Sequence, residues 1–273
     1  MRKNITISVV LPSRARPERL AGLLESISAT TSDLNSIEVV VLLDADDEAN
    51  YPRSKVGGLN LNFFVGEPGR TMGELNQDCV SKANGEIIFF TNDDVIFRTV
   101  GWDVLLLREI SLLPDSIYLM YPNDLFKGPR LCTFPIINRR LLLENLDILP
   151  DSYLGAFMDL HIMDVFKAYR LGSRIKYLKD LVCEHQHYRT DETLFDDTYE
   201  KRDRWGDDEQ FIKLSSQRSN IVSRLEKLQP KSNSWLKEDS VLQLLTGSAD
   251  VRWKIRLFFY MISRRVYKFV RIW

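Results

Sequence analysis

The chain opens as a series of short apolar runs, each of which stops at a polar or acidic loop. Ile5–Leu11 is continuous and β-branched, the pattern of a strand covered on both faces. The loop Pro12-Ser13-Arg14-Ala15-Arg16 follows, and Pro17 stands where a first helical turn accepts it. Leu20, Leu23, Leu24 and Ile27 then recur at helical spacing. Ile37–Leu43 is a second buried run, stopping at Asp44-Ala45-Asp46-Asp47, and Leu61–Val65 is a third. Met72, Leu75, Cys79, Val80 and Ala83 share one face of a helix that Asn84-Gly85 ends. Ile87–Phe90 is a fourth strand and runs into Thr91-Asn92-Asp93-Asp94.

Strand, helix, strand, strand, helix, strand predicts an α/β fold with a mostly parallel sheet flanked by helices. Ligands of such sheets bind beyond the carboxyl ends of the strands. The first, second and fourth runs all end in polar or acidic loops there, which locates a site before any motif is invoked. The middle of the chain is less regular. Ile117–Tyr121 and Thr133–Ile137 read as strands, Asp159–Leu171 as a helix closed by Gly172, and Arg174–Val182 as a last strand before Cys183-Glu184-His185-Gln186-His187. Residues 189–209 are polar and acid-rich, a surface loop or lid. From Ser215 the pattern turns helical.

With 273 residues, 44% of them hydrophobic, the chain accommodates one sizeable domain (1–214) and a helical C-terminal extension (215–273). Lys and Arg total 37 against 38 Asp and Glu, a balance that argues against a nucleic-acid partner. Three scattered cysteines, Cys79, Cys132 and Cys183, suit reduced thiols in a reducing compartment. The first run is too short and too β-branched for a signal peptide, and no window reaches the ~18 apolar residues of a membrane span. The expected location is cytoplasmic. Asp250–Trp273 carries seven basic residues and one acid, with Val251, Ile255, Phe258, Ile262, Val266, Phe269 and Trp273 in one apolar stripe. Such a tail fits an anionic membrane surface, and equally a helix docked on the domain or on a second subunit.

Carboxylates at a strand end, as in Asn92-Asp93-Asp94, place oxygens on one hard cation such as Mg²⁺ or Mn²⁺, or else merely form a turn. Here a resemblance becomes specific. Ile7–Pro17, Ile37–Asp47 and Gly73–Asp94, in order, resemble glycosyltransferase family 2 and its GT-A relatives, over about the first hundred residues. The departure is Asn92, where many members have the first aspartate of their DxD motif.

The resemblance implies a GT-A fold, with a nucleotide-sugar-binding half over 1–100 and an acceptor half over 101–214. It implies a divalent cation (Mn²⁺ or Mg²⁺), a nucleotide-diphospho-sugar donor (a UDP-sugar by default) and a glycan or glycolipid acceptor. Pro12, Ser13 and Arg14 would line the nucleotide pocket and Asp44 would meet the base. Arg70 would meet the diphosphate or base, and Asn76 the ribose or the metal loop. Asp94 becomes the direct metal ligand, with Asn92 or Asp93 facing the sugar or ribose. Taken singly, Arg14, Arg16 and Arg70 also read as ordinary solvated charge, and Asn76 as a polar helix residue.

His185 and His187 stand at i, i+2, so their rings share a side of an extended chain. Cys183-Glu184-His185 resembles the place where a histidine closes the metal shell, and imidazole suits Mn²⁺. His161, within a helix, reads as structural. An inverting transfer needs a carboxylate base, and the resemblance implies Asp159 for it, with Asp164 as a second candidate. Asp159 also fits a helix N-cap. Asp191, Asp196 and Asp197 read as solvated charge.

Two rivals stand beside the transferase. A sugar nucleotidyltransferase wants a glycine-rich loop after the first strand, and 12–16 has no glycine. An inactive GT-A-like scaffold is consistent with Asn92. A dinucleotide-binding dehydrogenase is excluded by the missing GxGxxG.

Overall fold

The computed structural model describes residues 5–51, 56–113, 115–143, 148–168, 174–187 and 207–228, together with 259, 260, 262 and 263. Gly172, the acidic residues Asp191, Asp196 and Asp197, and all but four positions of the basic tail lie outside the described residues.

Strand β1 (Ile7–Ser13) pairs in parallel with β2 (Ile37–Asp44) on one side and β4 (Ile87–Phe90) on the other. β3 (Asn60–Gly66) extends the parallel set beyond β2. β7 (Ile136–Asn138) then runs antiparallel to β4 and to β6 (Leu119–Asn123). β8 (Ile175–His185) lies parallel to β6, and the short β5 (Val95–Phe97) closes the order antiparallel to β8. The eight-stranded sequence is β3-β2-β1-β4-β7-β6-β8-β5.

Alternation along the strands sorts the core into two layers. Ile7, Val9 and Leu11, with Ile37, Val39 and Val41, meet Leu20, Leu23, Leu24 and Ile27 of α1 (Pro17–Thr30) and Trp102 and Leu106 of α3 (Trp102–Ser111). Val10, Val40 and Leu42 face α2 (Met72–Lys82) through Cys79 and Val80. That second layer continues through α5 (Met158–Ala168) and α7 (Ser215–Leu228), whose Ile221 and Leu225 are fully enclosed. The remaining helices, α4 (Arg139–Leu143) and α6 (Asp207–Lys213), are short. Among the described residues, no helix is long and apolar enough to cross a membrane.

Helix α3 was not evident from the sequence. Val104–Leu107 is an unbroken apolar run in which Val104 is exposed and Leu106 buried, so no single period marks it. Asp103 fixes it instead, accepting from the amides of Ser32 and Asp33 after α1. β8 also runs three residues beyond the expected Val182, which carries His185 into the strand.

One buried charge sits at the amino end of the sheet. Glu38 accepts from Ser8 Oγ (2.6 Å), the Asn84 amide (2.5 Å), Asn84 Nδ2 (3.1 Å) and Asn62 Nδ2 (3.2 Å). Its carboxylate joins β1, β2, β3 and the turn after α2. Glu38→Gln turns an N–H₂ donor towards groups that are themselves donors, and should cost about 2 kcal/mol in a urea titration.

Candidate active site

The loop after β1 is built from its neighbours. Ala15 has a left-handed backbone (φ 57°), unusual for a residue with a side chain. Its amide donates to Asp47 Oδ2 (2.5 Å), and the next amide, of Arg16, donates to the Tyr51 hydroxyl (3.1 Å). Ser13 donates to Asp93 Oδ2 (2.7 Å), so the Tyr51 hydroxyl, 2.9 Å away, donates to Ser13. The reversal at Ala15 sends Arg14 and Arg16 to different partners. Arg14 grips Asp46 with both terminal nitrogens and Asp44 with one, at 2.6–2.7 Å. Arg16 turns to the acidic segment after β4.

There Asp93 and Asp94 are both buried. Arg16 Nη1 lies 3.1 Å from Asp93 Oδ1 and 3.8 Å from Asp94 Oδ2, and Arg19 Nη1 lies 4.0 Å from Asp94 Oδ2. β5 follows at once and pairs Val95 with His185, which brings His185 Nε2 to 3.4 Å from Asp94 Oδ1. The Gln186 amide donates to the Asp94 carbonyl (2.9 Å), locking the two segments together. Phe134 and His187 pack edge-on against the His185 ring, and Phe126 stacks on His187.

The arrangement offers a divalent cation two ligands. Asp94 Oδ1 and His185 Nε2 stand 3.4 Å apart, a little wider than the edge of about 3.0 Å of an octahedron with bonds of about 2.1 Å, so a small side-chain shift brings both to one cation. The other imidazole nitrogen, Nδ1, is buried with no hydrogen-bond partner, so the ring is not committed elsewhere on that side. These two residues fit the cation. No group of three or more His, Cys, Asp or Glu side chains suited to a metal occurs among the described residues, so two protein ligands leave the rest of the shell to water and to a ligand's own oxygens.

The structure gathers Ser13, Asp93, Asp94 and His185 at one place and Arg14 with Asp44 beside them. Pro12 is within β1, paired with Leu42 of β2. Asn92 is partly exposed at the end of β4. Arg70 is bound to Asp78 (2.5 Å) and to the Glu67 carbonyl. Asn76 returns a hydrogen bond to the Met72 carbonyl of its own helix (2.9 Å), an internal use that its spacing did not reveal. Asp159 is in the first turn of α5 and accepts from the Leu160 amide. Asp164 pairs with Arg218 of α7 (2.6 Å). His161 is fully buried and bonded to Tyr153, and burial lowers its pKa to about 3, as a neutral structural residue.

Sequence reasoning missed Arg19, Tyr51 and Asp207, and read Arg16 as ordinary charge. A basic residue beside a strand end that bears two carboxylates was the available signal for Arg16. Asp207, at the start of α6, accepts from the amides of Leu154 (2.8 Å), Gly155 (3.0 Å) and Ala156 (2.7 Å). The same loop meets the start of α2, where Met72 and Gly73 donate to the Leu154 and Tyr153 carbonyls.

Burial first, and the charge of Asp94 second, push the Asp93 carboxyl up to about 6 from 3.8, against the pull of Arg16 and Ser13. A folded-state value above the unfolded one means that the folded chain binds the extra proton. The contribution of this carboxyl to stability is therefore fully present below about 4 and is lost as pH rises through about 6. In melting curves of the cation-free protein, the wild type should lose stability relative to Asp93→Asn between about pH 4 and about pH 6.

No family model matches the chain, and no curated protein matches it. Solved structures do. A mannosyltransferase of Pyrobaculum calidifontis, solved with GDP-Man and Mn²⁺, aligns over 95% of this chain and 86% of its own, at 15% identity and a TM-score of 0.50. TarS of S. aureus aligns at 19% identity and a TM-score of 0.49 over 66% of this chain; the match spans 36% of TarS. Glucosyl-3-phosphoglycerate synthase of Mycobacterium tuberculosis, solved with Mn²⁺, UDP-Glc and phosphoglyceric acid, aligns at 21% identity and 0.47, over 69% of this chain and 74% of its own. With the mixed, mostly parallel sheet and its flanking helices, the alignment along nearly the whole mannosyltransferase gives this chain the GT-A, Rossmann-like fold.

Proposed function

We propose that the chain is a cation-dependent glycosyltransferase that moves a sugar from a nucleotide-diphospho-sugar, a UDP-sugar by default, to a saccharide or lipid-linked acceptor. The observation that carries this reading is the Asp94–His185 pair, 3.4 Å apart where the strands of a GT-A sheet end. The mannosyltransferase of the same fold binds GDP-Man and Mn²⁺.

Asp94 and His185 hold the divalent cation, which when bound neutralises charge on the departing diphosphate. Pro12, Ser13 and Arg14 line the nucleotide side, with Asp44 towards the base and Asn92 and Asp93 towards the sugar or ribose. Arg14 already pairs with Asp44, so a base that takes Asp44 displaces one contact and leaves the fork to Asp46 intact. Arg70 and Asn76 contribute only after leaving the partners they now have. Asp159 takes the acceptor proton if the transfer inverts configuration. The basic tail reaches an anionic surface if the acceptor is lipid-linked.

The Arg16–Asp93 ion pair also suits a second reading, an inactive scaffold with the same fold. Release of nucleoside diphosphate from UDP-, GDP-, dTDP- and CDP-sugars as the sugar passes to an added saccharide acceptor or to water, measured with Mn²⁺ and with EDTA, separates the two. The transferase releases one diphosphate with Mn²⁺ alone. A scaffold releases none under any condition.

A further inference from the structure

We infer that the loop after β6, residues 124–133, seats the acceptor, and that through Lys127 and Arg130 it takes a saccharide that carries a phosphate or a carboxylate. This inference rests on the transferase reading above. In the sheet order, β1 and β2 with Ser13 and Asp44 lie on one side of β4, and β6 and β8 lie on the other. The loop therefore meets the Asp94–His185 pair from the side away from the nucleotide. It also joins the two groups that transfer needs. Near its start the Asp124 carbonyl accepts from the His185 amide (3.1 Å), and near its end Cys132 Sγ donates to the Asp159 carbonyl (3.1 Å). An acceptor whose hydroxyl meets both Asp159 and the donor sugar lies against this loop.

The loop is built to hold cations in place. Asp124, 1% exposed, accepts from the amides of Phe126 (3.1 Å), Lys127 (2.8 Å) and Gly128 (2.7 Å) and from the Thr133 hydroxyl (2.8 Å). Those bonds occupy the one acid of the stretch and enforce a left-handed backbone at Leu125 (φ 55°). Lys127 Nζ lies 4.1 Å from the centre of the Phe126 ring, and that ring stacks on His187 at 5.1 Å. Arg130 is exposed, and its Nε and Nη2 donate to the Lys127 (3.1 Å) and Phe126 (3.2 Å) carbonyls. Among the described residues, no carboxylate pairs with it. Its guanidinium is thus fixed before a ligand arrives, which lowers the cost of binding one. An uncharged sugar gains little from these cations, whereas an anionic group accepts charge-assisted hydrogen bonds from both.

The test is saturation-transfer NMR on the full chain loaded with Mg²⁺ and UDP, or with GDP in a parallel sample, so that the donor site is filled. Glucose 6-phosphate, glucuronate and methyl glucoside are compared as ligands. At least one of the two anions should bind about tenfold more tightly than methyl glucoside, and which one does so distinguishes phosphate from carboxylate. Arg130→Gln and Lys127→Gln should each lose most of that preference while nucleotide binding stays as it was. Arg130→Lys keeps the charge and should keep most of the preference, which an arginine needed only for its carbonyl contacts would not. Equal binding of charged and uncharged sugars, binding of none of them, or a preference that survives both substitutions by Gln would overturn the inference and leave the donor site standing. Binding of neither nucleotide, read by calorimetry, would remove the donor site and the inference together.

Discussion

Asp94→Ala should lower donor turnover by at least about 100-fold and abolish the Mn²⁺ dependence of nucleotide binding. Asp94 is 2% exposed, and its Oδ1 lies 3.4 Å from the imidazole Nε2 of His185. Removing it deletes a ligand and leaves Arg16 and Arg19 nearer to a bare histidine. Asp94→Asn keeps the shape but offers a weaker, neutral oxygen, so its loss should be intermediate. Steady-state kinetics against Mn²⁺ concentration separates a lost ligand, seen as a raised cation requirement, from a general collapse of the site. Asp93→Ala should affect the cation less, because its oxygens serve Ser13 and Arg16.

The second large effect is on stability. Asp207→Ala removes the acceptor for three consecutive amides in a residue that is 1% exposed. Buried donors left unpaired cost about 1–3 kcal/mol each before relaxation, so a net loss on the order of 3–4 kcal/mol is expected. For a chain of this size that is a fall in melting temperature on the order of 10 °C. The loop it holds carries Phe157 with a left-handed backbone (φ 66°), and such strain persists only where the surroundings enforce it. Asp207→Asn keeps one carbonyl oxygen and should lose about half as much. Differential scanning calorimetry of both variants tests the order.

Much of the scaffold was readable because β1, β2 and β4 are buried on both faces, which leaves uninterrupted apolar runs that stop abruptly at Asp44 and Asn92. The acidic segment was readable for the same reason. What joins it to His185 was not. That contact depends on β5, three residues long, pairing with the far end of β8, and no local pattern encodes a register between segments so distant in sequence. The two arginines of the first loop illustrate a second limit. Arg14 and Arg16 look alike in sequence, and only the left-handed turn at Ala15 sends one to Asp46 and the other to Asp93. Asn76 shows a third, since a polar side chain at mid-helix can bond its own backbone as readily as a ligand. Glu38 and Asp207 were invisible as structural centres because a buried carboxylate is recognised by the donors around it, and those come from several segments.

The most direct test of the donor site is thermal unfolding of the full chain with UDP, GDP, dTDP and CDP, each with Mn²⁺ and with EDTA. A ligand at about 100 times its dissociation constant stabilises the fold by about 2.7 kcal/mol, which is a clear melting shift. The account predicts that one nucleotide raises the melting temperature with Mn²⁺ and not with EDTA, and that Asp94→Ala removes the shift. A melt that no nucleotide moves, with or without the cation, would contradict it.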